Sequence, residues 1–328
     1  MMDKTCYLHI GSPKTGSTSI QAWCFRNKAQ LAQKGLLYPG IRQRHDALLS
    51  EFHDRAWNLR FNRLGQDLSQ DGLSRAMLTE EYAETEASAA QAVLFSNENF
   101  LGLSRRIRIQ ALQQELTAQF REVRLLCYLR DPYKLLISRA QEHIKSGKVT
   151  YEQAAEDPPV LSMAGLEKYA AVFGREAMVL RNFDALKTSG TTLMQDCLET
   201  LLPGVSQDGL EPSRVHNSGF SLEAALIIGG LNGKYGYHSD WDGRHLPVQR
   251  LRSIGRTRFT LPPAAVLKVR EQLMRQYDLL AKAGLEFTPP DWQALPEPRP
   301  DWSPETLEQV ALVMNSLAAD GRKGGPSG

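Results

Sequence analysis

One stretch limits what this chain can become more than any other: Gly11-Ser12-Pro13-Lys14-Thr15-Gly16-Ser17-Thr18. It follows a short apolar run, Tyr7-Leu8-His9-Ile10. After it, Ile20, Trp23, Cys24 and Leu31 recur at helical spacing from Ser19 to Lys34, and Gly35 supplies a stop. Strand, glycine-bearing turn and helix start together make a phosphate cradle. The glycines let the backbone curl so that its N–H groups converge on an anion, and the helix N-terminus adds partial positive charge.

The same alternation continues along the chain. Thr5–Ile10, Ala92–Ser96, Val123–Leu129 and Ala177–Leu180 read as strands. Helix-period segments separate them: Ser104–Phe120 behind a capping serine, Pro132–Ser146 behind Asp131 as N-cap, and Leu166–Phe173 before Gly174. The pattern predicts an α/β fold, a P-loop-like three-layer sandwich with a central parallel sheet. Beyond Leu186 it turns helical, with candidates at Thr191–Leu202, Ser221–Leu231, Pro262–Ala283 and Pro304–Leu317. We expect one domain over residues 1–328: a core at 1–205, a helical extension at 206–320 and a flexible tail at 321–328.

The cradle departs from the usual phosphate loop, G-x-x-x-x-G-K-[ST]. Both glycines fit, as Gly11 and Gly16, and so does the hydroxyl of Thr18. Position 17 is serine, however, and the lysine is Lys14, inside the loop. A lysine there can neutralise charge on a bridging oxygen as its bond breaks. Transfer of a γ-phosphoryl group instead places lysine at the β and γ phosphates and Mg²⁺ on the Ser/Thr hydroxyl. A sulfuryl group carries less negative charge and has less need of a metal. The loop therefore points to an adenylyl sulfate, with no metal required.

A second motif, LLCYLRDPYKLLIS (Leu125–Ser138), carries the third predicted strand into the next helix. Arg130 lies at the strand's C-terminal end, where open α/β sheets bind ligands. Ser138 lies within the first two turns of the helix. A guanidinium fork and a hydroxyl suit one further phosphate.

With both motifs present, the chain resembles the sulfotransferases that use 3′-phosphoadenosine 5′-phosphosulfate (PAPS), in particular their bacterial, carbohydrate-type branch. The resemblance runs through HIGSPKTGSTSIQ, GLLYPG, VLFSNENF, LLCYLRDPYKLLIS and FGREAMVLRNFDAL, from Leu8 to Leu186. It implies that Ser12, Lys14, Thr15, Gly16, Ser17 and Thr18 hold the 5′-phosphosulfate and that Arg130 and Ser138 hold the 3′-phosphate. It also implies that a glutamate just after the second predicted strand, here Glu98, is the base. The product nucleotide would be 3′-phosphoadenosine 5′-phosphate (PAP). Family members often close an RKG-type segment, followed by Gly-Asp, over the donor. Arg322-Lys323-Gly324-Gly325 has that flavour but lacks the Gly-Asp, so it is not assigned; Arg252, Arg256 and Arg258 are alternatives.

Other residues leave choices open. His45 and His53 are the alternative bases, each expected to be a solvated loop histidine. His9, His143, His216 and His238 fall into no recognisable constellation. Residues Ile41–Gly65 hold Arg42, Arg44, Arg55, Arg60 and Arg63 with Trp57, and read either as an acceptor-binding lid or as a solvated helical excursion. The acceptor is expected to be a carbohydrate or small molecule, which Trp57, Tyr235, Trp241 and the arginines would suit. Asp131 after an apolar strand leaves a Mg-ATP kinase as a second possibility, and a non-catalytic nucleotide- or glycan-binding module as a third.

Bulk properties narrow the remaining classes. With 39 basic and 37 acidic residues, the charge balance argues against a general nucleic-acid binder. Cys6, Cys24, Cys127 and Cys197 are scattered, without metal or disulfide spacing, and read as buried thiols. No signal-peptide core and no run long enough to span a bilayer is visible, so a cytoplasmic location is expected.

Overall fold

The computed structural model of the chain describes residues 1–59, 62, 67–70, 72–103, 105–213, 219–235, 251 and 253–323. Arg60, Arg63, Ser104, His216, His238, Trp241, Arg252 and the tail from Gly324 lie outside the described residues. Five strands form one sheet: β1 (Met2–His9), β2 (Leu36–Leu37), β3 (Ala92–Ser96), β4 (Phe120–Leu129) and β5 (Met178–Asn182). Their order is β2-β3-β1-β4-β5, and every pairing is parallel. This is the expected central parallel sheet. The two-residue β2 is too short to show a period, which is why the sequence pattern misses it.

The strands bury both faces, as a sheet covered by helices on each side must. On one face, Tyr7, Leu94, Leu126 and Tyr128 pack with Ile20, Trp23 and Cys24 of α1 (Ser17–Arg26). Leu31 of α2 (Lys28–Gln33) joins that core, as do Met194, Cys197 and Leu198 of the helix Leu193–Leu201. The neighbouring strand residues point the other way. There Phe95 meets Phe120 and Tyr82 edge to face at ring separations of 6.1 and 6.2 Å. Tyr82 lies on the helix Leu73–Ala87, which the hydrophobic pattern does not disclose.

The single helix expected over Ser19–Lys34 is two, broken at Asn27. That side chain donates to the Trp23 carbonyl and accepts from the Glu211 N–H, so it competes with the backbone for hydrogen bonds. The Pro262–Ala283 helix is likewise two, Pro263–Lys268 and Arg270–Lys282. All four cysteines are free and fully buried, and burial pushes their thiols up, Cys197 to about 12.

Contacts divide the chain into two compact units. The first comprises residues 1–130, 162–216 and 283–285 and contains the sheet. The second comprises 131–161, 217–282 and 286–328 and, in its described residues, is mainly helical. Its core gathers Leu136, Ala140 and Ile144 from the helix Pro132–Lys145 with Ala225 and Ile228 from Leu222–Tyr235 and Leu273 and Tyr277 from Arg270–Lys282. Asp131 caps its helix as the sequence predicts, accepting from the Lys134 N–H at 2.8 Å. Among the described residues no helix is long and apolar enough to cross a membrane.

Candidate active site

Strand order decides where a ligand can sit. β1 lies between β3 and β4, and the chain leaves β1 toward β2 on one side before returning across it to β4. Crevices of open parallel sheets form at the carboxyl ends of strands where such a reversal occurs. Three segments emerge there side by side: the Gly11–Thr18 loop from β1, Asn97-Glu98 from β3 and Arg130 from β4.

The loop is held at both flanks. Ile10 and Ser12 donate their N–H groups to the Leu126 and Tyr128 carbonyls of β4, at 3.0 and 3.1 Å. On the other side, Asn97 donates to the His9 carbonyl and Leu101 to the Ile10 carbonyl, each at 3.1 Å. Gly11 is needed for this approach: a Cβ on it would stand 2.7 Å from the Glu98 carbonyl oxygen, and its φ is +97°. Inside the loop, Thr15 and Ser17 donate their hydroxyls to the Ser12 carbonyl at 2.6 and 3.3 Å. These two contacts wind the turn tightly.

Lys14 has φ +67°, the one non-glycine residue in the left-handed region among the described residues. Such a conformation costs free energy, about 1–3 kcal/mol, and persists where the surroundings enforce it. Gly16 follows as the N-cap of α1, with φ +83° and no side-chain cap. The first N–H groups of a helix have no intrahelical acceptor, and no acidic side chain occupies the first turn of α1. Loop and helix start thus present the donors and the positive end of a dipole that an anion requires.

Arg130 reaches the same neighbourhood through Phe183. Its guanidinium carbon is 6.0 Å from the Phe183 ring centre, and a Cβ built on Gly16 would lie 3.5 Å from the edge of that ring. Asp184 stands 3.6 Å from the Arg130 Nε, an ion pair too long to be a hydrogen bond. The buried Nε therefore has no hydrogen-bond partner. Arg26 Nε, 3.6 Å from Glu211, shows the same arrangement, a buried guanidinium N–H facing a carboxylate just beyond hydrogen-bond distance. Ser138 lies half-buried on the helix Pro132–Lys145, in the second unit.

Glu98 is half-buried and opens a short 3₁₀ turn, Glu98–Gly102, after β3. Its Oε2 accepts from the Gln21 side-chain amide at 2.8 Å. The same amide nitrogen lies 3.3 Å from the Ser96 hydroxyl, which is 2.7 Å from His9 Nδ1. His9, Gln21 and Ser96 are fully buried, and burial holds His9 down at about 4, so its ring is neutral. His9, which fits no sequence pattern, is thus tied to the Glu98 site. Gln21 was also missed. The one available signal was a glutamine between Ile20 and Trp23 on the buried face of an amphipathic helix.

The histidines expected to be solvated behave differently. His45 is 1% exposed. Its Nδ1 accepts from the Ser96 N–H at 2.9 Å, and its Nε2 meets the Pro39 carbonyl at 3.0 Å. Tyr38 and Phe95 enclose the ring, and burial holds it at about 4. With both nitrogens committed to backbone, His45 is a structural strut, which corrects the sequence expectation of a solvated ring. His53 Nδ1 accepts from the Arg55 N–H. Asp131 commits one oxygen to its cap and receives the Tyr277 hydroxyl on the other at 3.0 Å, which disfavours a role for it as a magnesium ligand. Of the Ile41–Gly65 segment, Asp46–Phe52 is helical and packs inward through Leu48, Leu49 and Phe52, whereas Trp57 is exposed.

No family model and no curated protein matches the chain. Solved structures similar to it include a sulfotransferase from Alicyclobacillus acidocaldarius, 15% identical, covering 65% of this chain and 85% of that one at a TM-score of 0.38. They also include a sulfotransferase domain from the curacin biosynthetic pathway, 13% identical, covering 77% and 97% at a TM-score of 0.37. Similarity at this level carries no functional argument, and the site's own geometry has to supply one.

Proposed function

We propose that the chain is a PAPS-dependent sulfotransferase that moves a sulfuryl group to a hydroxyl or amine of a carbohydrate or small-molecule acceptor. The observation that carries this reading is the pairing of two cationic positions on adjacent strand ends. One is Lys14 in a strained loop ahead of an uncapped helix. The other is Arg130, whose buried Nε makes no hydrogen bond and meets Asp184 only at ion-pair distance, 3.6 Å. A donor with phosphate at both its 5′ and 3′ positions answers both. Ser138 remains a candidate 3′-phosphate ligand on the strength of the sequence motif alone.

In this reading the acceptor's oxygen or nitrogen attacks sulfur in line. The bond between sulfur and the bridging phosphate oxygen breaks, and its electron pair leaves with PAP. Lys14 and the α1 N-terminus stabilise the charge that appears on that oxygen, an effect worth about 3–4 kcal/mol when one such donor is removed from an active site. Glu98 takes the acceptor's proton, a contribution of about 10²–10⁴-fold. Ser12, Thr15, Gly16, Ser17 and Thr18 shape the pocket for the 5′-phosphosulfate.

The test is a transfer assay with ³⁵S-labelled PAPS in EDTA across a panel of sugars, amino sugars and phenols, run beside γ-labelled Mg-ATP. Label transferred from PAPS in EDTA supports the reading. Phosphoryl transfer from Mg-ATP with none from PAPS would replace it with a kinase.

A further inference from the structure

We infer that Gln21 is a positioning residue for Glu98, backed by Ser96 and His9, and that it ties the base to the helix that carries the donor loop. The inference rests on Glu98 being the base. Its observations are separate from that assignment. Gln21 lies on α1, one turn past the N-cap Gly16. It is fully buried, yet spends its amide on two side chains from the β3 end, Glu98 Oε2 at 2.8 Å and Ser96 Oγ at 3.3 Å.

Both amide protons of Gln21 point outward, one to the Glu98 carboxylate and one to the Ser96 oxygen. The Ser96 hydroxyl is in turn hydrogen-bonded to His9 Nδ1, 2.7 Å away, the donor being set by the imidazole tautomer. In either tautomer Gln21 Oε1 and His9 Nε2 are buried atoms without hydrogen-bond partners. A fully buried amide that forgoes a partner for its oxygen incurs a desolvation cost. Here the orientation serves the carboxylate: it gives Oε2 a donor and fixes the plane of the group, leaving Oε1 to receive a proton. Among the described residues Oε1 has no hydrogen-bond partner.

The consequence is mechanical. The hydrogen bond couples a shift of α1, which carries the loop, to the position of the base, so that donor and acceptor sides are kept in register for in-line attack. Ser96 and His9 hold the amide from behind and prevent it from flipping to present oxygen to the carboxylate.

A double-mutant cycle on PAP release from PAPS, with water as acceptor, tests this. Gln21→Met keeps the volume and removes the donor. Turnover should fall at least tenfold with the PAP dissociation constant unchanged within twofold, and Ser96→Ala should give a smaller loss of the same kind. In the Glu98→Gln background, Gln21→Met should add less than a twofold further loss, because the group it positions is gone. An equal loss in both backgrounds would overturn the inference and leave Gln21 a packing residue. Retained turnover in Glu98→Gln alone would instead remove the base assignment, whatever Gln21 does. The ¹⁵N-labelled protein gives a readout that needs no turnover: the Gln21 side-chain amide resonance should shift, and its hydrogen exchange accelerate, in Glu98→Ala. A resonance indifferent to that change would also overturn the inference.

Discussion

His45 and Arg130 both lie at the carboxyl edge of the sheet, and both are largely withdrawn from water, but they are furnished in opposite ways. Around His45 the polar groups close on one another. The ring bonds to the Ser96 N–H and the Pro39 carbonyl, and the next residue, Asp46, receives the Asn97 amide at 2.8 Å. Around Arg130 they do not. Its Nε makes no hydrogen bond and meets Asp184 only at 3.6 Å, and the loop one strand away ends in a helix without a side-chain cap. Satisfied buried polar groups hold a fold together, whereas an unsatisfied one is costly and is retained for a reason other than stability. The His45 region is therefore read as scaffold, and the edge between the β1 loop and Arg130 as site.

Changes on the site side should affect chemistry or binding and spare the fold. The largest effect is expected from Lys14→Met, which should lower turnover about 10²–10³-fold, roughly 3–4 kcal/mol of transition-state stabilisation. Steady-state kinetics on PAPS checks it, with the melting temperature as control; Lys14→Gly, which relieves the positive φ, should lose as much activity and be no less stable. Glu98→Gln should lower turnover about 10²-fold or more while PAP affinity holds within a few-fold, read by kinetics and calorimetry on the same samples.

Arg130→Ala should weaken PAP by about 10–100-fold, the worth of charge-assisted hydrogen bonds at roughly 1.5–3 kcal/mol. Adenosine 5′-phosphosulfate, which lacks the 3′-phosphate, should bind wild type and variant alike. Equal losses for both nucleotides would place Arg130 elsewhere and blur the contrast with His45.

On the scaffold side the effects should appear in stability. His9 and His45 are both held near 4 in the folded chain, against an ordinary value near 6.5. Between those values the unfolded state binds the extra protons, so stability rises with pH through that window and falls as pH drops from 6.5 toward 4. Each histidine contributes a slope of up to about 1.4 kcal/mol per pH unit. Urea unfolding of His45→Asn at several pH values should show a shallower slope and lower stability at pH 7. An unchanged slope would mean that His45 does not stay neutral in the fold.

The two regions also differed in how well the sequence disclosed them. The β1–loop–α1 unit was legible because its signals are local: an apolar run, two glycines and a helical period within about thirty residues. Asp131 as a cap before Pro132 was legible for the same reason. His45 was not, because two of its partners, Ser96 and Phe95, lie about fifty residues away, and an Arg-rich surrounding suggested solvent. Gln21 depends on Ser96 and Glu98, 75 and 77 positions on, and only the pairing of β1 with β3 brings them together. The helix Leu73–Ala87 went unassigned because just four of its positions, Ser74, Leu78, Glu81 and Thr85, are buried, and three of them are polar. That mixture hides the 3.6-residue period of a buried face.

The central claim is that this edge of the sheet is built for a nucleotide with phosphate at both 5′ and 3′ positions. Thermal unfolding with PAP, compared with ADP and with Mg-ATP, tests it without knowledge of the acceptor. A ligand at a hundred times its dissociation constant adds about 2.7 kcal/mol to stability. We predict a rise in melting temperature with PAP that grows with the logarithm of its concentration, exceeds that with ADP, and is largely lost in Arg130→Ala. A rise with Mg-ATP and none with PAP would contradict the account.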